Sequence, residues 1–382
     1  MPKFVVDIDK SPVPYALGLL VAAVILIFTR LRSRSHYERQ SILPEKHPKT
    51  PLPVIEALEN VSLESTGPEK FRPWKPVYNI TMAIERDSPS NLICMDSEYA
   101  ERIAMRKAII TEFPEKSHGY TADGVSSIHD IYSYLTETYL PTRYPSIFSV
   151  ANGRFKNAVT GQSYPLFSRV NLTHEKGAML FDPRAILRAL GEIVQEDLFL
   201  LKQDEGNGPH RLVAFICCCP SGFDPSEKLG LTLRDIHAPV PSYDKIGPSM
   251  ERFFSRLEAG QNVKRTNWSV TTHANLFDVS VNHIKGDVTA EDQDQDINCE
   301  ESFARIERQT VSRLPQTDTV MFSFKTYLYP LRDIKAEGLG PKLAESIEGL
   351  KVGNAPGMWK YKGAIRWGKA VCEYMRSESN DD

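Results

Sequence analysis

Arg211-Leu212-Val213-Ala214-Phe215-Ile216-Cys217-Cys218-Cys219 carries one charge, at its start, and no chain breaker. A short apolar run of this kind reads as a buried strand. Neighbouring side chains on a strand point to opposite faces, so the three cysteines are expected to alternate between two layers. Further along, 266–272 and 319–329 also read as strands, the second with Val320, Phe322 and Phe324 in alternation. Upstream the pattern is helical. Residues 96–112 form one candidate helix, stopped by Pro114, and 127–139 a second. A third covers 183–201, with Asp182 as its cap and Pro183 as an early helical residue. A short helix is expected at 248–257. Helices followed by an antiparallel sheet region define an α+β fold.

The chain has 382 residues and a formal net charge of −3. That length holds a sizeable core. The charge balance excludes nucleic acid as the main partner, because such proteins carry a basic excess. Cys94, Cys217, Cys218, Cys219, Cys299 and Cys372 include no C-x-x-C pair, so zinc and thioredoxin-type sites lack their spacing. Reduced, buried thiols fit a cytosolic compartment.

Residues 13–28 are uncharged and almost wholly apolar, and Arg30, Arg32, Arg34 and Arg39 follow. The run is short for a span, but arginine at its end can snorkel. No small-residue cleavage signal accompanies it, which favours a retained anchor over a signal peptide. The basic flank places the following chain in the cytosol. The expected organisation is a non-cytosolic tail at 1–12, a transmembrane helix at 13–30, a Pro-, Glu- and Ser-rich linker at 31–70 and one domain at 71–382. The endoplasmic reticulum is the default membrane for such an anchor. An acidic run at 287–301 reads as a solvated loop and lacks the central glycine of a calcium loop. Sequons at Asn60, Asn79, Asn171 and Asn267 fall on the cytosolic side and are expected to stay unmodified.

The chain has no G-x-G-x-x-G, Walker A, H-E-x-x-H, G-x-S-x-G or C-x-x-C-H motif. It therefore shows no nucleotide site of its own and no attachment site for covalent haem. Five other segments stand out: 194–201, 220–230, 235–241, 265–268 and 305–315. In the third, His237 precedes Ala238-Pro239-Val240-Pro241, a stretch expected to be extended and stiff. A rigid element of that kind can hold an imidazole against a metal, although a lone histidine near prolines is more often structural. In the fifth, strand alternation puts Arg305, Glu307 and Gln309 on one face and Ile306, Arg308 and Thr310 on the other. The segment reads either as a solvated charged strand or as the lining for a polar ligand.

These five segments, with Met82-Ala83-Ile84 and Met95-Asp96-Ser97-Glu98-Tyr99, together resemble the haem-dependent oxidative N-demethylase alpha-subunit-like family, whose fungal members are sometimes called HRQ proteins. The resemblance runs from about Phe71 to about Tyr329. It implies a haem-binding PAS-like fold, an antiparallel sheet with surrounding helices. It also implies non-covalent haem b on one protein histidine, and oxidation of an N-methylated amine by oxygen with release of formaldehyde. Electrons are implied to come from a separate reductase of the flavin and iron–sulfur type. Carried over by residue, His237 becomes the axial ligand. Arg265, Asn267 and Glu307 become candidates for the oxygen or substrate side, and Arg308 and Arg313 for contacts to the haem propionates.

The implied activity is that of a haem-dependent monooxygenase or oxidoreductase tailoring a small amine or a lipophilic metabolite. Two other outcomes fit the same residues: a haem-based PAS-like sensor without turnover, and a scaffold that has lost its cofactor. The arginines and glutamate of 305–313 favour the enzyme, because a gas sensor needs little polar chemistry beyond its iron.

Overall fold

The apolar run forms an inner strand of an antiparallel sheet, but only as far as Ile216; the three cysteines expected to continue it lie beyond the strand. The computed structural model describes residues 52–169, 182–280, 283–284 and 297–378. Among them, the main sheet contains β1 (Glu85–Asp87), β2 (His118–Tyr120), β6 (Asp197–Gln203), β7 (His210–Ile216), β8 (Asn262–Thr271), β9 (Phe303–Arg313) and β10 (Val320–Pro330). Their order is β1-β8-β9-β10-β6-β7-β2, and every pairing is antiparallel. A small second sheet holds β3 (Phe148–Ala151), β4 (Arg154–Asn157) and β5 (Ser163–Pro165). The α+β expectation holds.

Three apolar layers pack around this sheet. Leu198, Leu200, Val213 and Ile216 face a helical core with Cys218, while Phe199, Leu201 and Phe215 face the opposite layer with Cys217. Cys217 and Cys218 thus face opposite layers, although β7 ends at Ile216, before all three cysteines. A third cluster, around Trp268, Val270 and Ile306, is covered by α5 (Leu331–Ala336), α6 (Gly340–Glu348) and α7 (Ala364–Arg376).

The first expected helix is present as α1 (Tyr99–Glu112) and the second as α2 (Val125–Ser133), which continues through a π-helical turn, Tyr134–Tyr139. The third is half right. α3 (Pro183–Gly191) begins as expected, with the Asp182 side chain accepting from the Ala185 amide at 3.2 Å. It stops at Gly191, and the remainder becomes β6. A Cβ at Gly191 would stand 2.6 Å from Ile110 Cδ1 and 3.0 Å from Ile216, so α1 and β7 close tightly over that position. The Leu-Phe-Leu-Leu run reads like a helix because it is buried on both faces. The expected short helix at 248–257 is α4 (Gly247–Arg256).

Residues 52–84 form no helix or strand, yet they are not a free tether. Ile55, Val61 and Leu63 pack on the helical core, and Trp74 and Ile80 are buried in the third cluster. The expected anchor at 13–30 and most of the acidic run lie outside the described residues. Among those described, no helix is long and apolar enough to cross a membrane.

His118 on β2 supplies a pH handle. It is 2% exposed, and Ser117 Oγ lies 3.1 Å from its Nδ1. Burial, reinforced by Arg184 and Arg188, lowers its pKa from 6.5 to about 4. The folded state thus prefers the neutral ring. Its contribution is complete above pH 6.5 and is lost as pH falls towards 4, because the unfolded chain takes up the proton first. Urea midpoints should fall across that window, by up to ~3 kcal/mol from this group. A His118→Phe variant should lose part of the slope; an unchanged slope would remove His118 from the account.

Candidate functional site

One face of β6, β8, β9 and β10 is roofed by the chain between Phe223 and Phe254, leaving a cavity of about 280 Å³. Aromatic and aliphatic side chains line most of it, including Phe199, Phe223, Phe254, Phe322 and Phe324. Its polar wall comes from β8 and β9. The register sets Arg265 opposite Gln309 and Asn267 opposite Glu307, and all four line the cavity. The same alternation sends Arg308 to the far face.

His237 enters from the roof. A helical turn, Leu233–Ile236, is capped by Thr232, whose Oγ1 accepts from the Asp235 amide at 3.3 Å. His237 closes that turn. Its Nδ1 lies 2.8 Å from the Leu233 carbonyl oxygen, which can only accept, so Nδ1 carries the proton. Nε2 then keeps its lone pair. It has no hydrogen-bond partner among the described residues, and the ring lines the cavity. The imidazole also stacks on Tyr243, with centroids 4.6 Å apart and planes 3° from parallel. Burial lowers its pKa to about 4, with Lys228 and Arg265 pushing the same way against the Leu233 hydrogen bond. The ring is neutral at neutral pH. The expectation of an extended 238–241 stretch is corrected: the chain turns here, with the Val240 amide donating to the His237 carbonyl at 2.8 Å. Proline's fixed φ serves a turn as readily as a strand.

On the polar wall, Glu307 Oε2 accepts from Asn267 Nδ2 at 3.3 Å and from Gln309 Nε2 at 2.8 Å. Arg265 Nη1 donates to the Met82 carbonyl at 3.1 Å, while its Nε is buried without a partner among the described residues. Lys362 lies just beyond the short helix Met358–Tyr361. Its Nζ donates to Asn267 Oδ1 at 3.2 Å and to the Trp268 carbonyl. Burial pulls this ammonium down to about 8, with Glu307 opposing and Arg265 assisting.

Of the six residues singled out from the sequence, the cavity brings together His237, Arg265, Asn267 and Glu307. Arg308 and Arg313 lie elsewhere, which corrects their assignment to a propionate edge. Arg308 is buried on the opposite face, paired with Asp87 at 2.8 Å and bonded to the Asn91 carbonyl. Arg313 ties β9 to the end of α4 through the Leu257 and Phe254 carbonyls, and to the Asp318 carbonyl. Arg305 is likewise a clamp: its Nη2 donates to the carbonyls of Cys219, Pro220 and Leu276, fastening the chain that leads into the roof.

Sequence reasoning alone misses Lys362, Tyr78 and Tyr361, all of which line the cavity. Gln309 shares the alternation of Arg305 and Glu307 and is within reach of that argument. Lys362 sits in an ordinary Lys-Tyr-Lys-Gly stretch, where nothing local marks it.

A donor set for haem is present by chemistry: a neutral imidazole with one free nitrogen, an apolar chamber beside it, and a guanidinium with an unsatisfied N–H. A family model described as Haem-dependent oxidative N-demethylase, alpha subunit-like matches residues 83–372, which is most of the chain. His237, Arg265, Asn267, Glu307, Gln309 and Lys362 all fall inside the match. With this chamber and this match, the chain belongs to the haem-dependent oxidative N-demethylase alpha-subunit-like family.

Proposed function

We propose that the protein is a haem-dependent oxidoreductase of monooxygenase type. It holds haem b non-covalently in the cavity and carries out oxidative N-demethylation, or a related tailoring step, on a small or lipophilic metabolite. The observation that carries this reading is His237: its Nδ1–H is spent on the Leu233 carbonyl, and its Nε2 has no partner among the described residues of an apolar chamber. A backbone acceptor on Nδ1 fixes the tautomer and orientation of a metal-binding imidazole. A single imidazole is a sufficient protein ligand where a macrocycle holds the iron. No cysteine is among the described residues lining the cavity, which supports non-covalent retention. The sheet face and its helical roof serve, in this reading, as a PAS-like cradle.

Bound haem supplies the oxygen-dependent redox chemistry. The chain's own residues do the rest. The phenylalanines exclude water and accept an apolar substrate. The Glu307 carboxylate, held by Asn267 and Gln309, is placed to take an ammonium group through a charge-assisted bond. Lys362, with a pKa of about 8, can hold or release a proton at Nζ close to working pH. Electrons come from a separate flavin and iron–sulfur reductase, a division of labour supported by the lack of nucleotide-binding motifs in the sequence and by the words alpha subunit in the family description.

The apolar run 13–28 and its basic flank support a membrane anchor with the domain on the cytosolic side. Carbonate extraction tests this: an anchored chain stays in the pellet, and release into the supernatant overturns the anchor. For the cofactor, the test is an absorption spectrum of the full chain titrated with haem. A saturable Soret band at one haem per chain is expected. A featureless titration overturns the reading.

A further inference from the structure

We propose that the polar wall of the cavity is a carboxylate site, in which Arg265 and Lys362 together receive an anionic –COO⁻ group. The proposal rests on the haem reading and goes a step beyond it, by naming a chemical group that this wall selects.

The starting point is a charge imbalance. Arg265 and Lys362 both line the cavity, and Glu307 is the single carboxylate among the described lining residues. None of the three is paired with another. Arg265 makes its one hydrogen bond to the Met82 carbonyl and has a buried Nε with no partner; no carboxylate among the described residues stands within ion-pair distance of it. Lys362 donates only to neutral oxygens, those of Asn267 and Trp268. Glu307 accepts only from the neutral amides of Asn267 and Gln309. Asn267 stands between the lysine and the glutamate, bonded to each, and keeps them apart.

A buried cation without a counter-charge is costly unless something supplies the missing anion. A structural arginine in this sheet is met by a carboxylate, as Arg308 is by Asp87, or by several carbonyls, as Arg305 is by those of Asn275, Cys219, Pro220 and Leu276. Arg265, which lines the chamber, has one such carbonyl and a buried Nε without a partner among the described residues. The planar guanidinium fork matches a carboxylate in two-point geometry, and the ammonium of Lys362 adds a third donor.

Two sources provide that group. One is a haem propionate. The other is a substrate carboxylate, in which case the substrate is an N-methylated amino acid: its ammonium meets Glu307 while its carboxylate meets Arg265 and Lys362. The wall, with its ions held apart by neutral amides, has the charge order of such a zwitterion.

The experiment uses the full chain as wild type, Arg265→Met, Lys362→Met and Arg265→Lys, with folding checked by circular dichroism. The first arm compares haem with haem dimethyl ester by Soret titration, and metal-free protoporphyrin IX with its dimethyl ester by fluorescence. The second compares N,N-dimethylglycine with N,N-dimethylethylamine by calorimetry. The wild type should prefer the acid over its uncharged-end counterpart by about tenfold to a hundredfold in one arm, the range set by one or two hydrogen bonds to a charged group. That arm names the source. The methionine variants should lose the preference, and Arg265→Lys should keep part of it. No acid preference in either arm, or full preference in both methionine variants, overturns the proposal. The wild-type comparisons decide the matter even if a variant fails to fold. The porphyrin and dimethylglycine measurements need no iron ligand. A chain that takes no haem but still prefers the acids would therefore defeat the haem reading and leave the carboxylate site standing.

Discussion

His237→Ala should leave a folded protein that no longer shows the Soret band of the haem-loaded wild type. The ring contributes a stack on Tyr243 and one hydrogen bond to the Leu233 carbonyl, so its loss costs the fold little. The roof around it is fixed by other contacts: the Thr232 cap, the Leu233 and Phe254 side chains in the core, and the Arg313 bonds to α4. Haem affinity should fall further than the roughly 10–100-fold that follows loss of an outer partner of a metal ligand, because the ligand itself is gone. Some porphyrin should still enter, since the apolar walls remain. Free imidazole at millimolar concentration should then restore a ligated spectrum, because the truncated side chain leaves room where the ring stood. A variant that keeps the wild-type spectrum would show that iron is held by another residue, and His237 would revert to a structural histidine.

The same pocket shows what local sequence can and cannot disclose. The 305–313 segment is legible because strand alternation is a local rule, and that rule sets Arg305, Glu307 and Gln309 on one face. The rule does not say what lies opposite that face. Arg305 meets the backbone of 219–220, Glu307 meets the cavity, and Arg308, one residue further, meets Asp87 more than two hundred positions earlier in the chain. Its role is decided by the β1–β8 pairing, which carries no local signal. Lys362 is hidden for the same reason: the C-terminal helices bring it to β8 from beyond every segment that carries the resemblance. The break in the third helix is hidden differently. Asp197 is a poor strand former at the head of an apolar run, and nothing nearby shows that its charge is met by an arginine on α1.

Arg106 and Asp197 are 0% and 1% exposed, and Arg106 Nη1 donates to Asp197 Oδ1. The arginine also donates through Nε to the Gly191 carbonyl at 2.9 Å, where α3 ends. The aspartate accepts from the backbone amides of Cys218 and Cys219, each at 2.7 Å, just past the end of β7. One ion pair therefore joins α1, the α3–β6 turn and the strand end that leads into the roof. Asp197→Ala removes the counter-charge of a guanidinium that stays buried and takes the acceptor from both amides. Removing one partner of a buried pair costs about 3–5 kcal/mol, a large share of the roughly 5–15 kcal/mol that holds a domain folded. Urea denaturation should show a midpoint far below wild type, and much of the expressed variant should be insoluble. Asp197→Asn keeps acceptors for one or two of the amides and should lose less. The double variant Arg106→Met with Asp197→Leu removes both charges at similar volume. If the cost lies in the orphaned charge, it should recover part of what Asp197→Ala loses, although the amides of Cys218 and Cys219 stay uncapped. A double variant no better than Asp197→Ala would move the cost from the ion pair to those two backbone hydrogen bonds. The cavity, through Arg305's grip on the Cys219 and Pro220 carbonyls, would then depend on how β7 ends rather than on a buried charge.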